Sequence, residues 1–208
     1  MLFELKIGRI KSSAGATEEA RGTKSGSLLT AQDYARYQAA VDMGNVYSVA
    51  NQTGVTSQAG LSATTPVLTL YNPLGSGKNV VVWYTGCIFL VAFAAAAAVY
   101  VAIGSVVQSS VVTGTLTTTH RNMKVGMTQN PAARTFLAAT LPAAPVAVGL
   151  LGAGLTGAIN LAQTGKPLER WYDGSIILKP GTNLSLQTST ASGASSMLCE
   201  YIWEEVDE

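Results

Sequence analysis

Gly152-Ala153-Gly154-Leu155-Thr156-Gly157 has the G-x-G-x-x-G spacing of a dinucleotide-binding loop, in which glycines let a pyrophosphate approach the backbone at a helix N-terminus. Val146-Ala147-Val148 supplies a strand before it, but Gly165 and Pro167 interrupt the crossover helix that must follow. A small-residue loop or interface segment is the expected role. Gly75-Ser76-Gly77-Lys78 hints at a phosphate loop, yet Asn72 stands at the first glycine position and Asn79 follows the lysine where Ser or Thr is needed. A hairpin turn explains it better.

Paired carboxylates for glycoside hydrolysis can come only from Glu169, Asp173 and the cluster Glu200, Glu204, Glu205, Asp207 and Glu208. The cluster reads more simply as a solvated or partner-facing charge group. A single histidine, His120, and no G-x-S-x-G elbow leave little scope for a Ser-His-Asp triad. Cys87 and Cys199 show no metal-ligand or redox spacing, which predicts two buried free thiols and leaves a disulfide as the alternative. A metal held by this pair and His120 lacks further ligands. Trp83, Trp171 and Trp203 could stack a sugar, but scattered tryptophans more often anchor cores or interfaces. Arg121, Lys124 and Arg134 lack the interleaved aromatics of a single-strand nucleic-acid platform, and a formal net charge of +1 adds no attraction for nucleic acid. These residues together predict no enzyme, no cofactor, no metal site and no nucleic-acid partner.

The elements that must carry these residues are mostly strands. Residues 1–28 form the expected flexible N-terminal arm: Leu2, Phe3, Leu5 and Ile7 at its tip could anchor on a partner, and residues 8–28 lack hydrophobic periodicity. The start has no basic region or cleavage site of a signal peptide, which predicts synthesis and retention in a cytosol. A short helix is expected over 29–44, opened by Thr30 and Asp33 and closed near Gly44, with Tyr34, Tyr37 and Val41 on one face. Residues 45–208 form the expected β-sandwich. Strands are predicted over 45–50, 66–71 and 79–90, the last two joined as a hairpin through Asn72-Pro73-Leu74-Gly75-Ser76-Gly77-Lys78. Later, 175–179 leads into Pro180-Gly181 at the centre of a type II turn. Leu184 and Leu186 then alternate with Ser185 and Gln187, and Met197, Cys199, Tyr201 and Trp203 share one face of a final strand.

The middle of the chain is almost free of charge. No Asp or Glu occurs between Asp42 and Glu169, and no charged residue of either sign between Lys78 and Arg121. The apolar run from Cys87 to Ile103 approaches the length of a membrane span, but its flanks lack the basic residues that orient one. No membrane partner is expected. Two strands joined through the alanine tract fit better, because strands buried on both faces read as continuous apolar runs. Only 12% of the 208 residues are charged and only 7% are aromatic. Surfaces permanently covered by other subunits lose their charges, and that predicts a homo-oligomer.

The arm, the short helix, Leu68-Thr69-Leu70-Tyr71-Asn72-Pro73 with its Gly-Ser-Gly-Lys turn, Leu178-Lys179-Pro180-Gly181-Thr182 and the ending Trp203-Glu204-Glu205-Val206 resemble tailed-bacteriophage virion proteins. Over residues 45–208 the pattern is similar to jelly-roll capsid cement or decoration proteins. The resemblance implies an all-β, antiparallel jelly-roll-like sandwich on the capsid exterior. It also implies a homotrimer that contacts the major capsid protein. The interface candidates are then Leu2, Phe3, Leu5, Ile7, Tyr34, Tyr37, Trp83, Trp171 and Trp203. A tail or head-fibre module that binds host surface glycans through one of the tryptophans is the alternative.

Overall fold

The computed structural model describes residues 37–56, 58–91, 95–104, 107, 112–117, 119–128, 130–154, 167–191 and 197–208. The chain divides into two units, Met1–Ala39 and Ala40–Glu208, and every strand lies in the second. The expected arm lies outside the described residues. A short helix, α1 (Gln38–Asp42), ends where Gly44 takes a φ of 77° and its N–H bonds Val41 O at 2.9 Å. Glycine closes helices in this way because a left-handed residue there carries no Cβ clash.

Among the described residues eleven strands follow: β1 (Val46–Ala50), β2 (Leu68–Tyr71), β3 (Lys78–Phe89), β4 (Ala97–Ile103), β5 (Thr113–Leu116), β6 (Arg121–Asn122), β7 (Arg134–Thr140), β8 (Val146–Gly154), β9 (Leu168–Leu178), β10 (Asn183–Thr188) and β11 (Met197–Asp207). They form two antiparallel sheets, ordered β6-β1-β11-β3-β9 and β5-β7-β2-β10-β4-β8. Within these, β1 lies beside β11, β2 beside β10, β3 beside β9 and β4 beside β8. The chain crosses between sheets at each step from β1 to β4 and again from β8 to β11, which is jelly-roll connectivity. Strands β5 to β7 are an insertion in the β4–β8 connection. β7 and β5 widen the second sheet beyond β2, and β6 widens the first beyond β1.

Alternation builds the core. On β11, Met197, Cys199, Tyr201 and Trp203 turn inward and meet Leu68, Leu70, Val80, Val82, Val99, Val101, Leu184 and Leu186 from the other strands. Tyr201 buries its ring and donates its hydroxyl to Leu68 O at 2.9 Å. The other face of β10 is covered as well. Gln187 Nε2 donates to Ser62 O at 3.1 Å and to Ser185 Oγ at 3.2 Å. A second apolar cluster of Tyr71, Val112, Phe136, Ala139 and Leu141 sits beyond that face. The Gln187 amide is therefore bonded by protein groups on that face.

The connections depart from the sequence-based expectation at one point. The segment 72–78 is an arch between sheets, because β2 and β3 lie in different ones; the expected hairpin is corrected. Asn72 holds the arch: its Nδ2 donates to Lys78 O at 2.7 Å and Leu178 O at 2.9 Å, and its Oδ1 accepts from Ser76 Oγ at 2.7 Å. Pro180-Gly181 does make the type II turn, with Gly181 at φ 84° and Thr182 N bonded to Lys179 O at 3.1 Å. The apolar run 87–103 splits between β3 and β4, and no helix among the described residues is long and apolar enough to cross a membrane.

Candidate functional site

Strands β9 and β8 are the terminal strands of the two sheets on the same side of the sandwich. Their approach needs small residues on β8. A Cβ on Gly149 would stand 3.1 Å from Arg170 Nη1 and 3.2 Å from Tyr172 OH, and one on Gly152 would stand 2.8 Å from Leu168 Cδ2. Gly152-Ala153-Gly154 is thus strand, shaped to admit β9 side chains. The rest of the glycine motif, 155–157, lies outside the described residues.

What β8 leaves uncovered is apolar. Val146, Val148 and Leu150 are 52%, 47% and 61% exposed, and the strand carries no charge. Beside it, a hollow of about 290 Å³ is lined by Ile103, Val107, Ile176, Ile177 and Leu178, with Lys179 and Thr182 at its rim. The opposite side of the sandwich, at the β6 end of the first sheet, presents a second exposed apolar group: Met43, Met123, Met127 and Val125, the last 95% exposed. Long apolar edge strands left bare pair with other chains, and methionines adapt to varied partners.

The outer face of the first sheet carries a third feature. Asp173 and Gly174, at φ 50° and 84°, kink β9, so that Trp171 pairs with Tyr84 while Ile176 pairs with Val82. The Trp171 and Tyr84 rings lie 4.8 Å apart at 55°. Tyr84 leans across Gly86, where a Cβ would come within 2.6 Å of the hydroxyl. Glu169 and Glu200 stand opposite Gly86 on the two neighbouring strands. The Tyr84 hydroxyl donates to Glu169 Oε2 at 2.8 Å. Burial, then hydrogen bonding to Glu169 and Glu200, pushes the phenol well above its ordinary range. It therefore stays protonated at neutral pH and serves as a donor to carboxylate.

The other residues singled out from the sequence are dispersed. Trp203 is in the core, stacked on Tyr47 at 5.9 Å, and Trp83 is buried; Trp171 is half exposed. Tyr37 lies partly buried in the turn before α1, within the first unit, while Leu2, Phe3, Leu5, Ile7 and Tyr34 lie outside the described residues. Cys87 and Cys199 are register partners on β3 and β11, both buried and free, as expected of thiols placed in a core. Of the weighed carboxylates, Glu169 and Glu200 come together around Tyr84, while Glu205 is buried. Sequence reasoning singled out Glu200 and Trp171 but missed Tyr84. The signal was the Tyr84-x-Gly86 spacing on one strand, which lets an aromatic ring lie over a glycine. No protein-family model, curated protein or solved structure matches this chain.

Proposed function

We propose that this protein is a structural virion subunit of the capsid cement or decoration type, which oligomerises and contacts major capsid subunits without performing chemistry. The observation that carries the reading is the bare, uncharged apolar edge of β8 on a jelly roll. A second copy is the occupant argued for, because a complementary apolar group, Met43, Met123, Val125 and Met127, lies on the opposite side. Two different patches make a heterologous contact, which gives a ring where the rotation between copies closes and an open filament where it does not. The closed ring proposed is a trimer, the number that the sequence resemblance implies.

The test uses one variant on each patch. Leu150→Glu and Val125→Glu are each expected to yield folded monomers by sedimentation, with melting temperatures near the parent's, because both side chains face solvent. Mixing the two variants should restore dimers, since each supplies the face the other has lost. A parent that sediments as a monomer and fails to bind expanded capsids overturns the reading. Oligomers of the parent that persist in both single variants would place the contact elsewhere.

A further inference from the structure

We infer that the Trp171–Tyr84–Glu169–Glu200 patch binds a positively charged organic group, an ammonium or guanidinium. The inference is independent of the virion reading. An exposed indole face attracts cations through its ring quadrupole. Trp171 is half exposed and held at a fixed tilt by Tyr84. The phenol is itself fixed by its hydrogen bond to Glu169 and by the room that Gly86 provides. A site built on three adjacent strands is rigid, so little ordering cost remains for the ligand to meet.

Charge decides the class of ligand. Glu169 and Glu200 flank one hydroxyl that has a single proton to give, so most of their acceptor positions stay open to a donor. The ion pairs Lys78–Asp207 and Lys124–Asp42 use neither carboxylate of this patch. Arg170, the nearest cation along β9, lies 5.2 Å from the Tyr172 ring centroid, and Tyr172 belongs to the core on the opposite face. Two carboxylates beside an indole discriminate a cation from a neutral ligand of the same shape. A saccharide would gain hydrogen bonds and stacking but nothing from the charge. The source of the cation is either a free quaternary amine or an Arg or Lys side chain of a polypeptide.

Trp83 and Trp203 are buried, so a ligand-dependent change in tryptophan emission reports Trp171, and Trp171→Phe checks the assignment. The full chain would be titrated with choline, with N-acetyl-arginine amide, with the neutral choline isostere 3,3-dimethylbutanol and with methyl glucoside. Saturable change with choline, with the arginine amide or with both is expected, and which of them binds identifies the source. Glu169→Gln and Glu200→Gln keep an acceptor for Tyr84 and should each weaken binding about fivefold, the size of one unit charge at contact distance in water. Equal binding of the neutral isostere, saturation by methyl glucoside, or no response to either cation overturns the inference. So does undiminished affinity in the Glu169→Gln, Glu200→Gln double variant.

Discussion

The carboxylate of Glu205 accepts the N–H groups of Ala132 and Ala133 at 2.9 Å each and the indole N–H of Trp203 at 3.2 Å. It is buried, so these donors have no water to turn to when it is lost. Each unsatisfied buried donor costs on the order of 1–3 kcal/mol. Glu205→Ala is therefore expected to destabilise by about 3 kcal/mol, a fall in melting temperature of about 6–12 °C for a domain of this size. Thermal denaturation followed by near-ultraviolet circular dichroism measures it. The two thiols give a second expectation at this scale. Burial, then hydrogen bonding to Cys87, pushes the Cys199 thiol up, and both cysteines are buried away from reagents. An aromatic disulfide reagent should label neither cysteine until denaturant is added, and both afterwards; rapid labelling of the folded protein would contradict the packing. The buried thiols were legible in the sequence, because isolated cysteines in an apolar context pack as small hydrophobes. The role of Glu205 was not. In the sequence it is one of five acidic residues near the end, and only the return of the 132–133 backbone to β11 singles it out.

Among the elements, β10 and β11 were plain from alternation, and β2 and β3 from apolar runs between turn residues. Strands β5, β6 and β7 were not read at all. β5 is exposed at every position and β6 is two residues long, so neither shows the two-residue burial period that marks a half-buried strand. The partner sheet of each strand was equally hidden. A turn rich in Asn, Pro and Gly looks the same whether it joins neighbours or crosses the sandwich, and here the side chain of Asn72 settles it by bonding both the Lys78 and Leu178 carbonyls. Asn72→Ala removes both donors from a buried junction and should cost about 2 kcal/mol, seen as a lower denaturation midpoint with an unchanged slope. Gly86→Ala is a narrower probe. Its methyl would meet the Tyr84 hydroxyl, so loss of cation binding at the outer face is expected with only a small change in stability.

For the molecule as a whole, the low charge of the middle separates into two causes. Strands β2, β3 and β4 are uncharged along their buried lengths because they are core, whereas β8 is uncharged and exposed, and only the second calls for a partner. Composition alone could not divide them, since burial by one's own fold and by another copy select the same residues. The fold class was legible, and the site was legible in part: Trp171 and Glu200 stood out, while their meeting depends on the register of β9 against β3 and of β11 against β3. The place of β11 between β1 and β3 also constrains when the protein can fold. Asn51, next to β1, bonds Met197 on β11 across 146 positions of sequence. At the roughly 5–20 residues per second of synthesis, β1 emerges about 7–30 s before the strand that closes its sheet. The sandwich therefore assembles after translation has passed Trp203, and until then its apolar strands depend on chaperones or dilution to stay apart from other nascent chains.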